Sequence, residues 1–391
     1  MITNFGALYA GHVDLGDIGL EATALNDRNF SDEHLATIFD RTTAIAQLMD
    51  RVGFDSFWMA EHHFQTEGNE CIGNLLMLYL HLAHITENLK FGCGFNINPM
   101  WHPLRLAEDF ATADRLTNGR VIFGVGRGYH SREVDTFGAP STNTDSDANR
   151  ELFEEQVEII MKAFNQESFS HQGKHYTLPP DVSYRGYQLK ELTLVPRPAN
   201  LPVETWQPIV SGTDRALNFM AKWGIKGMIL GTGEEYVDEW AHRYQEANAR
   251  VGRELLLGEN LGLGLWCYID DSHEKAEKAL EPLFEEHVKF AAPLGMLRYS
   301  DDNMEQTGPG GAARHIAAGA NFRDVIQKRA WFAGSPEETI AYLKELEDKY
   351  PGLEHIMLGF PMGASVQQFK EQMTRFAKQV MPAFGPQRVK A

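Results

Sequence analysis

Residues 56–64 read SFWMAEHHF, an apolar run of strand length that ends on Glu61, His62 and His63. Polar groups at the end of an apolar strand are costly unless they meet water, partners or a ligand. Successive strand side chains point to opposite faces, so only one of two adjacent histidines faces any given side. That alternation argues against one metal ion gripped by His62 and His63, and no metal is expected. A single histidine aimed into a pocket remains open as a catalytic group, beside the plainer reading of a polar strand end that caps loops.

The neighbours of this run decide the fold. Upstream, Leu35, Ile38, Ile45, Leu48, Met49 and Val52 recur at helical spacing, and Gly53 stands where a helix would stop. Downstream come a helix over 75–85, the strand KFGCGFNI at 90–97, the helix LRLAEDFATADRL ending at Asn118-Gly119, and the strand RVIFGVG at 120–126. ITNFGALY precedes them all. The rhythm continues through PIV at 208–210, GMIL at 227–230, LGLGLWCYI at 261–269 and HIMLGF at 355–360, with helices between. Ser335-Pro336-Glu337-Glu338 combines a capping box with proline at the first helical position. Eight strands alternating with helices imply a parallel sheet, and eight units favour a closed (β/α)8 TIM barrel over an open sheet. We read 1–391 as one barrel domain with insertions. Residues 167–207, rich in proline, read as an excursion with short strands, and 293–334, with GPGG at 308–311, as a mobile lid loop.

Composition sets the outer limits. The chain has 391 residues, 43% hydrophobic, with 36 basic against 54 acidic side chains and a formal charge of −18. Such a balance disfavours a nucleic-acid or anionic-membrane partner. Cys71, Cys93 and Cys267 form no CxxC pair, so neither a disulfide framework nor a zinc site is expected. The sequence predicts no signal peptide and no membrane span, and hence a cytoplasmic protein.

Three further segments fall at strand ends, on the face where barrels place their chemistry. Arg127 follows the fourth strand in GVGRG; Tyr129 stands where a dinucleotide fingerprint would need glycine, which leaves a flexible turn with one guanidinium suited to a phosphate. An ordinary surface arginine is the alternative. Ser211, Gly212 and Thr213 open a helix, either as an anion site of free N–H groups or as simple caps. Asn96 and Asn98 end the third strand, where their amides either meet a bound ring or make turns before proline. Glu61, Trp101, Tyr129 and His130 are candidates for the substrate side or the lid, though each taken singly reads as packing or surface.

Taken in order, GFDSFWMAEHHF, GN at 73–74, NPMWHPLRLAEDFATADRLTNGR and FGVGRGYHSREVDTFG resemble the bacterial-luciferase-like flavin monooxygenases, as do SGT, AKWG, GSPEE and VMP further on. The resemblance is densest over 53–138. It implies a (β/α)8 barrel, His62 as the catalytic histidine of the EHH motif, and Arg127 on the flavin phosphate. It also implies Ser211, Gly212 and Thr213 as a phosphate loop, a non-proline cis peptide at Gly94-Phe95 beneath the flavin ring, and a lid over 293–334. Phe95, Asn96 and Asn98 would line the ring site. The implied activity is oxygenation of a small organic substrate by reduced FMN and dioxygen through a flavin hydroperoxide. A separate NAD(P)H:flavin reductase would supply the FMNH2, and a homodimer is implied. Gly126 stands where bacterial luciferase has cysteine, and a single chain is present, so light emission is not expected. The alternatives are a deazaflavin-dependent hydride-transfer enzyme on the same barrel, a non-catalytic flavin-binding relative, and a sugar- or phosphate-processing barrel, for which no carboxylate pair is evident.

Overall fold

The computed structural model of the chain describes residues 1–294, 296–297 and 321–385. Strands β1 (Asn4–Tyr9), β2 (Ser56–Met59) and β3 (Lys90–Cys93) come first, followed by the two-residue β4 (Asn96–Ile97) and by β5 (Val121–Gly126). Helices α1 (Asp32–Val52), α2 (Leu75–His84) and α3 (Pro103–Leu116) connect them, and Ser31 and Asn74 cap the first two through their side chains. A short α4 (Ser131–Val134) and a long α5 (Ser146–Asn165) follow β5.

The 167–207 excursion holds two small antiparallel pairs, β6 (His171–Gln172) with β7 (Thr177–Leu178) and β8 (Ser183–Tyr184) with β9 (Tyr187–Gln188). It ends earlier than expected, because β10 spans Thr205–Pro208 and not the apolar PIV run. Trp206 and Gln207 carry the ladder there, and Pro208 closes the strand. The remaining barrel strands are β11 (Lys226–Leu230), β12 (Leu261–Ile269) and β14 (His355–Gly359); β13 (Trp331–Gly334) pairs only with the distal half of β12. Helices α6 (Asp214–Trp223), α7 (Glu234–Ala249) and α8 (His273–Ala291) come next in the chain. After them come α9 (Phe322–Gln327), α10 (Pro336–Lys349) and α11 (Val366–Gln379). The capping box at Ser335 and Glu338 is formed.

Eight strands close in the order β1, β2, β3, β5, β10, β11, β12, β14 and back to β1, every pair parallel. The molecule is a (β/α)8 barrel, as the strand count implies. The run at 90–97 divides in two at a cis Gly94-Phe95 peptide, after which β4 pairs with the end of β5. Most of the lid expectation lies outside the described residues. Its last part, 322–334, is helix and strand rather than loop, because Phe322, Val325, Ile326 and Trp331 are packed into the core.

Inside the barrel, Leu8, Trp58, Phe95, Trp206, Met228 and Met357 form a plug separate from the larger core between sheet and helices. Trp58 and Trp206 meet edge to face at 5.6 Å. This floor divides the two mouths and supports whatever sits at the C-terminal ends of the strands.

Candidate active site

Alternation along β2 and beyond sorts the polar residues at its end onto two faces. Trp58 joins the interior plug, and Ala60 and His62 line the C-terminal cavity on the same side. Glu61 and His63 fall on the other side and hydrogen-bond each other at 3.3 Å. Glu61 accepts from the Ile97 amide at 2.7 Å and from Trp101 Nε1 at 2.8 Å. Glu61 and Trp101 therefore brace the loop after β4 and do not line the cavity.

His62 is held from both ends. Its Nδ1 lies 3.1 Å from Glu133 Oε2, and its Nε2 lies 3.2 Å from Glu70 Oε1 and 3.1 Å from the Tyr129 hydroxyl. Tyr129 donates to Glu70 Oε1 at 2.9 Å, while Gln65 and His130 donate to Oε2 at 2.8 and 3.0 Å. Gln65 and the His63 amide each donate to Glu133 Oε1 at 3.0 Å. Burial alone would lower the His62 pKa. The two carboxylates outweigh it and raise the group to about 9, with a smaller contribution from Glu61. Glu70 moves the opposite way: burial would raise it, but His62, His130 and Gln65 bring it down to about 2. His62 is thus an imidazolium between two carboxylates at neutral pH, not the neutral imidazole its ordinary pKa suggests.

His62, Glu70, His130 and Glu133 place metal-ligand atoms within 4.8 Å of one another. Strand alternation keeps His63 away from His62, but the fold brings a different histidine, His130, to the group. All four carboxylate oxygens of the set already accept hydrogen bonds from the donors just named.

Two adjoining cavities open at this mouth. One, of about 200 Å³, is lined by His62, Glu70, Gly94, Phe95, Ile97 and Tyr129, and across from them by Leu8, Met228, Trp266, His287, Phe290 and Phe360. The other, of about 320 Å³, is lined by Ser146, Arg150, Ser211 and Gly212. Gly126, Arg127, Gly128, Tyr129, Pro208 and Ile209 belong to both, so the two form one groove. A larger cavity, of about 430 Å³, opens at the N-terminal mouth around Lys90, Glu204, Lys226 and His355. There Asp50 and Asp55 accept from backbone amides and Glu204 pairs with Lys226 at 2.9 Å, groups that tie the barrel's lower end together.

The second cavity is a cationic corner. Arg127 Nε donates to Asn149 Oδ1 at 2.8 Å and Nη2 to the Ser146 carbonyl at 2.5 Å. Asn149 in turn donates to the carbonyls of Arg127 and Pro140 at 3.0 and 2.8 Å. Burial and then the Arg150 and Arg215 charges lower the Arg127 pKa to about 10, against the opposing influence of Glu154 and Asp147. Arg150 and Arg215 share one carboxylate, Glu154, and Arg127 has no ion-pair partner among the described residues. Gly212 faces it with φ +52 and no room for a side chain, since a Cβ would stand 2.3 Å from Trp240 Cδ1. Behind it α6 begins, with Thr213 as N-cap and no side-chain cap. A phosphate fits such a corner by charge and by free N–H groups.

Not every candidate reaches the groove. Asn96 turns away to donate to the Gly124 carbonyl at 2.9 Å, because β4 pairs with β5 at that position. Asn98 is buried in a short 3-10 turn, its amide atoms without a hydrogen-bond partner among the described residues, and neither asparagine lines either of these two cavities. Thr213 lies just behind the corner, and His130 forms the outer layer of the His62 network. Sequence reasoning missed Glu70, Glu133, Gln65, Asn149, Arg150 and His287. Their approach depends on tertiary folding, and only Glu133, inside YHSRE at 129–133, offered any local signal.

A family model described as luciferase-like monooxygenase matches residues 23–351, and the chain belongs to that family. Its relatives include the oxygenase component of the flavin-dependent trigonelline monooxygenase of Acinetobacter baylyi. That protein is 24% identical over 356 residues, covering 90% of this chain and 91% of the relative. Among solved structures, the oxygenating constituent of 3,6-diketocamphane monooxygenase from Pseudomonas putida, in complex with FMN, superposes with TM-score 0.73 at 17% identity, over 98% and 99% of the two chains. An F420-dependent secondary alcohol dehydrogenase superposes with TM-score 0.66 at 16% identity, over 99% and 100%. The chain is therefore an oxidoreductase of a flavin-dependent monooxygenase family. Among the described residues no helix is long and apolar enough to cross a membrane.

Proposed function

We propose that this chain is the oxygenating component of a two-component monooxygenase, which takes reduced FMN from a separate NAD(P)H:flavin reductase and inserts one atom of dioxygen into a small organic substrate. The observation that carries the reading is the continuous groove from the arginine corner to His62. A phosphate end and a flat apolar end, joined past Gly126 and Gly128, match the two ends of FMN. Arg127, Arg150 and the backbone at 211–212 hold the phosphate. Gly94, Phe95 and Ile97 form the bed for the ring.

Bound in reduced form, FMN supplies the electrons that activate dioxygen, chemistry the side chains lack. The protein's own work is placement and protons. Leu8, Met228, Trp266, Phe290 and Phe360 exclude water from the reacting end. Glu133 holds the His62 Nδ1 proton, and Nε2–H, shared with Glu70 and the Tyr129 hydroxyl, is the proton on the cavity side. At neutral pH that makes His62 a general acid or hydrogen-bond donor. The printed description of the Acinetobacter relative as an oxygenase component supports a separate reductase. A homodimer in the cytoplasm completes the proposal.

The likeness to the F420-dependent enzyme favours one second reading, hydride transfer with a deazaflavin. Calorimetric titration with FMN and with F420, followed by mixing the reduced complex with aerated buffer, separates the two. Tight FMN binding with substrate-accelerated oxygen consumption supports the proposal. F420 binding with hydride exchange and no oxygen uptake overturns it.

A further inference from the structure

His287 stands on α8, one turn before Phe290, and both line the apolar cavity. Its ring packs 5.0 Å from Trp266 and 5.2 Å from Trp331, and among the described residues its nitrogens have no hydrogen-bond partner. A half-buried imidazole that lines a cavity and bonds to no described protein group is placed to meet a ligand there. The ionisable side chains that share the cavity with it are engaged: His62 with two carboxylates, Tyr129 with Glu70, and Arg127 with Asn149 and Ser146.

We propose, resting on the flavin reading above, that His287 is the substrate's polar anchor, and that the substrate is an uncharged, mainly apolar molecule with one hydrogen-bonding group. The charge preference follows from what surrounds the anchor. Burial lowers the His287 pKa to about 4 against the pull of Glu70, so the ring is neutral and offers one donor and one acceptor. Glu70 is the charge that reaches it. The cations of the cavity, His62 and Arg127, are compensated or committed to the phosphate corner. A substrate carboxylate beside His287 would meet Glu70 with no free cation among the described residues, a costly burial.

The test uses holoenzyme with oxidised FMN and three probes on one skeleton, toluene, benzyl alcohol and benzoate, each titrated by calorimetry. FMN binding is measured first: a protein that takes up no FMN fails the reading on which this inference rests, before any probe is added. Wild type should bind toluene and benzyl alcohol and reject benzoate. His287→Leu should lower the benzyl alcohol to toluene affinity ratio roughly 3- to 10-fold, the scale of one net hydrogen bond, with FMN affinity unchanged. His287→Asn, which keeps a donor and an acceptor, should restore most of the ratio; a purely structural histidine would not give that pattern. An unchanged ratio in His287→Leu, no recovery in His287→Asn, benzoate binding as tight as benzyl alcohol, or no binding of any probe would each overturn the inference.

Discussion

The Nδ1 of His62 lies 3.1 Å from Oε2 of Glu133, a residue 71 positions further along the chain on the short helix after β5. This contact fixes both the orientation of the imidazole and its charge. Glu133→Gln keeps the size of the side chain and removes the charge, so the His62 pKa should fall from about 9 toward its ordinary range. The basic limb of the pH profile for substrate-dependent oxygen consumption should move down by about one unit or more, since each unit corresponds to about 1.4 kcal/mol of lost charge stabilisation. A limb that stays near 9 would show that another group holds the proton.

The same cluster ties stability to pH. His62 has a folded pKa above its usual 6.5, so its contribution is complete below that value and drains away as pH rises through about 9. Glu70, lowered from 4.5 to about 2, contributes above 4.5 and loses its contribution as pH falls through 2. These are two views of one contact and are not added. Wild type should lose thermal stability between pH 6.5 and 9, and His62→Gln should flatten that slope. His62→Ala is the poorer probe of chemistry, because it strands two buried carboxylates at a cost of about 3–5 kcal/mol. If the wild-type melting temperature is level across this window, the ion triad is not formed as described.

Much of the frame was legible in the sequence because barrel strands carry local signals. Seven of the eight strands follow apolar runs closely; β10 escaped, since TWQP looks less like a strand than the PIV beside it. His62 and Arg127 were legible from position, at the ends of the second and fourth barrel strands. What surrounds them was not. Glu133 and Asn149 come from elements after β5, and Glu70 from the loop before α2, so only chain closure brings them to their partners. Asn96 shows the reverse failure: its position suited a ring contact, but pairing with β5 turned its side chain toward Gly124.

Arg127 and Asn149 make a separable pair. Arg127→Ala should weaken FMN binding about 10- to 100-fold, the range for losing charge-assisted hydrogen bonds, and leave riboflavin binding nearly untouched. Asn149→Ala should shift the FMN affinity in the same direction by less, since the guanidinium remains but is no longer pinned through Nε. Equal losses for FMN and riboflavin would place Arg127 away from the phosphate.

Gly212 offers a way to separate backbone strain from crowding. At φ +52, an alanine there pays the left-handed penalty of about 1–2 kcal/mol, and its Cβ would also press on Trp240, 2.3 Å from Cδ1 and 2.6 Å from Nε1. Gly186 has φ +84 and nothing within 4 Å of the same built atom, so Gly186→Ala isolates the backbone cost. Gly212→Ala should destabilise by about 1–3 kcal/mol more than this control, because the indole is buried in the core and cannot give way freely. The shifted loop should also carry its N–H groups off the phosphate corner, weakening FMN while riboflavin binds as before. Matching losses of stability in the two variants, measured by urea unfolding, would mean that Trp240 yields and that the corner is softer than its packing implies.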